Sequence, residues 1–133
     1  MSLKEKQILA IDDTDAIRTF LRISLQAHGA DFYEAANARD GLKLNREIQP
    51  DVIVLDLGLP DRDGLDILQD LKSEGAGDSG PKVIILSVRK EQRTKDEAFA
   101  LGADAYLSKP FLMEDLIQLI EHETEEPRPS YLA

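Results

Sequence analysis

The sequence predicts an α/β domain, a doubly wound parallel sheet of five strands with helices on both faces. Short, almost wholly apolar runs alternate five times with stretches of helical period. The runs at 51–57 and 82–87 are apolar on both faces, as strands covered by helices on each side must be. Asp56 and Ser87 stand about 30 residues apart, the length of one strand–helix–strand crossover.

The elements follow in order. QILAI at 7–11 is the first strand and ends in Asp12-Asp13. Residues 15–28 carry Ile17, Phe20, Leu21 and Leu25 at helical spacing, and Gly29 is a natural stop. DFYEA at 31–35 is a short second strand. Asn37 caps a helix through Leu42, Leu44 and Ile48, which must end before Pro50 because proline disfavours helical backbone in its predecessor. DVIVLDL at 51–57, β-branched and apolar, is the strongest strand signal. LPDRDG at 59–64 is a turn-rich loop, and Leu65, Ile67, Leu68 and Leu71 mark the third helix. EGAGDSGP at 74–81 reads as a flexible loop, and KVIILS at 82–87 as the fourth strand. A fourth helix over about 91–101 closes at Gly102. DAYLS at 104–108 is the fifth strand, followed by Lys109-Pro110 and a fifth helix over about 112–123. The expected organisation is one domain over 1–123, with 124–133 as a C-terminal tail or truncated linker. The expected architecture is the flavodoxin-like (βα)5 sheet of order 2-1-3-4-5.

Composition narrows the function. A length of 133 residues suits one domain with a real core. The absence of cysteine excludes a disulfide framework, a thiolate metal site and a cysteine nucleophile. Two histidines, His28 and His122, cannot make a three-histidine metal site. With 26 Asp+Glu against 16 Lys+Arg, the net charge of −10 argues against direct nucleic-acid binding and against docking on anionic membranes. No apolar run approaches the roughly 20 residues that span a bilayer, and the start lacks a signal-peptide core. A soluble cytoplasmic domain is the expectation.

In doubly wound sheets, ligands bind beyond the carboxyl ends of the strands, at the switch point between strands 1 and 3. Asp12 and Asp13 follow strand 1, and Asp56 ends strand 3. Three carboxylates packed together repel one another, and a divalent cation resolves the repulsion; an all-oxygen set with open water positions suits Mg²⁺ or Mn²⁺. Ser87 ends strand 4 and Lys109 follows strand 5. A hydroxyl, an ammonium and a cation aimed at one carboxylate would stabilise negative charge added there, as a phosphoryl-accepting Asp requires. Singly, an Asp after a strand is a turn residue or a cap, and a lone lysine is solvated surface. Their joint placement at one edge of the sheet is what points to a site.

These residues, in the motifs IDDTDAIRTFL, DVIVLDLGLPDRDGLDIL, VIILSV and GADAYLSKPF, resemble the receiver domain of two-component response regulators, of the CheY-like superfamily. The resemblance covers about residues 7–122. It implies that Asp56 accepts a phosphoryl group from a phosphohistidine of a sensor histidine kinase or histidine phosphotransfer protein. It implies Mg²⁺ held by Asp13, Asp56 and the backbone carbonyl of Gly58, with Asp12 acting mostly through water. Lys109 would pair with the phosphoryl group and Ser87 would hydrogen-bond it; the Lys109–Pro110 bond would be cis. Ser87 and Tyr106 would form the switch that changes the surface of helix 4, strand 5 and helix 5, where an output domain or protein docks. The resemblance implies a phosphoacceptor signalling domain that assists its own phosphorylation and dephosphorylation, and no turnover enzyme.

The chain also departs from the family's pattern. Val88 follows Ser87 where a small Ala or Gly is usual, so slower phosphoryl exchange is expected. Ala105, Leu119 and Glu121 replace charged residues of the usual dimer face on helix 4, strand 5 and helix 5. A homodimer through that face therefore lacks its customary ion pairs, although the face is still the candidate one. Leu112, Met113, Leu116, Ile117, Leu119 and Ile120 are more apolar residues than one buried stripe needs, which fits either a deeply packed helix or an apolar docking patch. A haloacid-dehalogenase-like phosphatase is the enzyme alternative; that class usually carries a DxD motif after its first strand, and Asp56-Leu57-Gly58 after strand 3 does not match it. A module working without phosphorylation is the other alternative, and the intact acid pair, acceptor, hydroxyl and lysine argue against it.

Overall fold

The computed structural model describes residues 3–74 and 80–125. The elements alternate as β1 (Gln7–Ile11), α1 (Asp15–Ala27), β2 (Asp31–Ala35), α2 (Ala38–Ile48), β3 (Val52–Leu55), α3 (Gly64–Ser73), β4 (Lys82–Ser87), α4 (Gln92–Ala100), β5 (Ala105–Ser108) and α5 (Met113–Thr124). All pairings are parallel, and the sheet order is β2-β1-β3-β4-β5, as the alternation predicts.

The period of two along each strand divides the core into two layers. Ile8, Ala10, Val52, Val54, Ile84 and Leu86 face Leu21 and Leu25 of α1 and Leu116, Ile117 and Ile120 of α5. Their neighbours Leu9, Ile11, Ile53, Leu55, Val83 and Ile85 face Ala38 of α2, Ile67, Leu68 and Leu71 of α3 and Ala98 of α4. Burial on both faces is why β3 is apolar throughout, and β1 and β4 apolar except at their ends, and why the three sit at the centre. Gly41 lets α2 come down on the sheet: a Cβ there would stand 2.6 Å from Ile11 Cδ1.

Local signals account for the helix ends. The Asn37 side chain accepts from the Asp40 amide, starting α2 as expected, and Gln49 closes it in the left-handed region one residue before Pro50. The Asp63 side chain caps α3 by accepting from the Leu65 amide.

Three expectations change. The third strand stops at Leu55, so Asp56 lies just beyond it, although the Asp56 amide still donates to the Ile11 carbonyl at 2.9 Å. Phe20 belongs to the apolar period of α1 yet is 44% exposed, its ring tilted against that of Phe111 with 6.0 Å between centroids, while Leu21 and Leu25 fill the core. In α5, Leu116, Ile117 and Ile120 are buried, Met113 and Leu119 are half-buried, and Leu112, just before it, is 61% exposed. Leu119 is therefore neither a deep core residue nor a free one. The loop expected at 74–81 lies outside the described residues at 75–79, and the tail expected at 124–133 lies outside them from 126 onward. No helix among the described residues is long and apolar enough to cross a membrane.

Candidate functional site

The carboxyl ends of β1 and β3 lie side by side, since Ile11 pairs with Leu55. Each strand therefore releases its next residue at the same edge. Asp12 follows β1 with its amide bound to the Ala35 carbonyl at 3.0 Å, and Asp56 follows β3. Carboxylate oxygens of Asp12, Asp13 and Asp56 all come within 4.8 Å of one another. Asp12 and Asp56 are buried and Asp13 is exposed, so the cluster opens to solvent on one side.

Lys109 closes the other side. Its Nζ donates to Asp12 Oδ2 at 2.9 Å and stands 3.6 Å from Asp56 Oδ1. The lysine arrives there because β5 pairs with β4 through Ser108 and Ser87, and the Lys109 amide continues that pairing to the Ser87 carbonyl at 2.8 Å. The Lys109–Pro110 bond is cis, as expected.

Asp56 is held above the ordinary carboxylate range. Burial is the main cause and the neighbouring Asp12 charge the second; the Lys109 ammonium and the Gly58 amide oppose them, and Asp13 adds a smaller rise. Ionised, this group is short of positive charge, and one ammonium is shared between two acids. The donor set is hard oxygen only, partly buried and partly open, and so it fits a small divalent cation that keeps some of its water. Gly58 lies beside Asp56, its amide donating to Asp56 Oδ1 at 3.2 Å. A Cβ at Gly58 would meet nothing closer than that oxygen at 4.0 Å, so space is open there.

Ser87 and Tyr106 occupy neighbouring positions with a different orientation. Leu55 pairs with Ile85, which puts Asp56 one residue and Ser87 two residues past that pair. Ser87 is buried, and its hydroxyl accepts from the Arg89 amide at 3.1 Å; among the described residues it makes no hydrogen bond to Asp56. Tyr106 is half-buried against the layer under α2, α3 and α4, with its hydroxyl donating to the Arg89 carbonyl at 2.7 Å and the Lys95 ammonium 5.7 Å from its ring centroid. Val88, between Ser87 and Arg89, is 70% exposed.

The structure thus gathers Asp12, Asp13, Asp56, Gly58 and Lys109, and connects Ser87 to Tyr106 through Arg89. Arg89 escaped the sequence reading, as did Arg18, whose guanidinium binds the Asp12 carbonyl. Nothing in a sequence marks which of several arginines reaches back to a loop. Asp61 and Asp63 were seen only as turn residues. Asp63 does carry a signal, an Asp directly before an apolar helical run. Asp61 accepts from the Ala38 and Arg39 amides at 2.8 and 3.0 Å, crossing from the loop after β3 to the start of α2. The Ala38 amide is the main cause that holds its carboxyl below the ordinary range.

Comparison with known proteins gives one consistent result. The family described as response regulator receiver domain matches residues 8–121. The KDP operon transcriptional regulatory protein KdpE of Escherichia coli K12 is 44% identical over 104 residues, which cover 78% of this chain. The match spans only 44% of that regulator, so the chain corresponds to less than half of its length. Among solved structures, the Francisella response regulator 1452 receiver domain superposes with a TM-score of 0.81 at 30% identity, covering 90% of this chain and 96% of that one. A response regulator from Burkholderia pseudomallei, solved with a phosphorylated aspartic acid, a calcium ion and citrate, gives a TM-score of 0.81 at 27% identity, covering 87% of this chain and 66% of that one.

Proposed function

The chain belongs to the family of response regulator receiver domains, and from that membership we propose that Asp56 is its phosphoryl acceptor. The observation that carries this is the Lys109 ammonium, 2.9 Å from Asp12 and 3.6 Å from Asp56, inside a cluster of three acids. An ammonium shared by two carboxylates is placed to follow negative charge from one to the other.

In the reaction, an Asp56 carboxylate oxygen attacks phosphorus of a phosphohistidine on a sensor kinase or phosphotransfer protein. The P–N bond breaks, the imidazole leaves, and an acyl phosphate forms. Asp13, Asp56 and the Gly58 carbonyl would hold Mg²⁺ directly, with Mn²⁺ a substitute, and Asp12 would hold it through water. When bound, the cation supplies neutralisation of charge on the phosphoryl oxygens. Lys109 pairs with the added group, and a bound cation would offset the charge it leaves at Asp12. These residues supply positioning and charge, which phosphoryl transfer chiefly needs. The domain accepts one group per cycle and assists its own dephosphorylation.

Signalling follows from Ser87. Its hydroxyl leaves the Arg89 amide for the phosphoryl group, which shifts the Arg89 carbonyl that Tyr106 holds. The surface of α4, β5 and α5 changes with it and meets an output domain or protein, or a second copy of the chain. KdpE is a transcriptional regulator, and an output of that kind suits the relationship. We assign residues 1–123 to the receiver and 124–133 to a C-terminal tail or linker. Val88, exposed next to Ser87, would slow exchange; equal rates in wild type and Val88→Ala reject that role.

The test is incubation with acetyl phosphate and Mg²⁺, read by intact mass. Wild type gains about 80 Da, one HPO₃ group. An Asp56→Asn protein that gains the same mass overturns the assignment.

A further inference from the structure

Arg18 is tied to the acid-bearing loop without facing the centre. It lies in the first turns of α1 with its side chain only 13% exposed. Its Nη1 donates to the Asp12 backbone carbonyl at 2.7 Å, its Nε to Glu34 Oε1 at 3.1 Å and its Nη2 to Asp15 Oδ1. Glu34, on β2, also accepts from Arg22. A planar guanidinium fixes these three directions relative to one another, which a lysine ammonium cannot do.

The Asp12 carbonyl belongs to the peptide unit that joins Asp12 to Asp13. That unit is planar, so holding its oxygen sets the direction in which Asp13 begins. Asp12 has other restraints: Oδ1 accepts from the Thr14 amide at 2.9 Å, Oδ2 accepts from Lys109, and its amide is bound to Ala35. Asp13 is different. It is exposed, and among the described residues nothing hydrogen-bonds its carboxylate. Its place in the cluster depends on the backbone that carries it.

We infer that Arg18 is a positioning residue for the cation site: by holding the Asp12 carbonyl it aims Asp13 at the centre, with Glu34 bracing Arg18 from β2. This rests on the reading of the three acids as a Mg²⁺ site. The competing account is that Arg18 only pins α1 to β2. Arg22 separates the two, because it shares Glu34 but makes no bond to the acid loop.

The experiment is calorimetric Mg²⁺ titration of the full chain, with amide exchange at Asp13 measured on the metal-free folded protein. Arg18→Ala weakens Mg²⁺ binding roughly tenfold, in the range seen when groups that orient metal ligands are removed, and Asp13 exchanges faster. Arg22→Ala leaves both at the wild-type level. Arg18→Lys keeps the charge and the aliphatic stem, so it covers the case in which the alanine variant does not fold, and it also binds Mg²⁺ more weakly than wild type. Wild-type affinity in Arg18→Lys overturns the inference, and so does an equal loss in Arg22→Ala. A wild-type protein that binds no Mg²⁺ at millimolar concentration instead overturns the metal-site reading beneath it.

Discussion

The Arg89 guanidinium stands 3.0 Å from the Asp63 carboxylate, joining the loop after β4 to the residue that caps α3. The backbone of the same arginine serves both Ser87 and Tyr106, its amide donating to Ser87 and its carbonyl accepting from Tyr106. One ion pair therefore ties down the loop to which both side chains are hydrogen-bonded. Both side chains are about a third exposed, so Arg89→Ala should cost less than about 1 kcal/mol of stability. The larger effect should be on motion: amides 88–91 exchange faster, and 0.5 M salt brings wild type part of the way there. Unchanged loop exchange in the variant would reject the bracing role.

The raised pKa of Asp56 has a definite sign in stability. The folded state binds this proton more tightly than the unfolded chain does, whose ordinary value is 3.8. Stability from this group is therefore greatest below 3.8 and declines as pH rises through the folded value, staying low at neutrality. In metal-free protein, Asp56→Asn should thus be more stable than wild type at pH 7, with the advantage shrinking as pH falls into the acid range. Mg²⁺ reverses the order by mass action, adding about 2.7 kcal/mol to wild type at a hundredfold excess over Kd. Thermal melts at two pH values, with and without Mg²⁺, check both halves. A variant less stable than wild type without metal at pH 7 contradicts the electrostatic reading.

Gly64, the first residue of α3, sets the distance between that helix and the backbone at Asp56 and Leu57. A Cβ there would stand 2.7 Å from the Asp56 carbonyl oxygen and 2.8 Å from Leu57 Cα. Neither is a flexible tip that can turn aside. Gly64→Ala should cost about 2 kcal/mol, typical of overpacking, and should slow phosphorylation by acetyl phosphate because Asp56 must move. Wild-type rates in a folded alanine variant would show that α3 absorbs the strain instead.

Far from the site, Asp104 clamps the opposite edge of the sheet. Its Oδ2 accepts from Lys72 Nζ at 2.7 Å and from the Val83 amide at 2.8 Å, while Lys72 also donates to the Pro81 carbonyl at 2.9 Å. The pair is about four-fifths buried. Removing the acid leaves a buried ammonium and a strand amide short of an acceptor, so Asp104→Ala should lose about 2 kcal/mol in urea unfolding. Asp104→Asn, which can still accept from Val83, should lose less. Phosphorylation of the folded protein should be unchanged in both.

What the sequence displays and what it conceals divide along physical lines. The strands were legible because burial on two faces demands uniformly apolar, β-branched runs such as those around Ile53 and Ile84. Asp12, Asp13, Asp56 and Lys109 were legible because parallel strands deliver their ends to one edge, so the residue after each run is a site candidate. The Ser87–Arg89–Tyr106 chain was only half visible, since its middle link is a backbone carbonyl and carries no side-chain signature. Arg18 and Arg89 were not visible at all. A long flexible side chain finds its partners in the assembled structure, and period or spacing does not record them. Phe20 shows the converse: helical period marked it as core, but α1 needs only a narrow stripe and Phe20 falls at its margin.

The hydrogen bond between Lys109 and Asp12 spans 97 positions of the chain. During synthesis the acids of the first strand and of Asp56 are complete long before the ammonium that moderates them exists. A chain that has reached only the end of β4 has all three acids of the cluster in its sequence and lacks the lysine that reaches them in the finished fold. The charge balance of this edge of the sheet thus arrives late and at once, only when the residue after the fifth strand is in place.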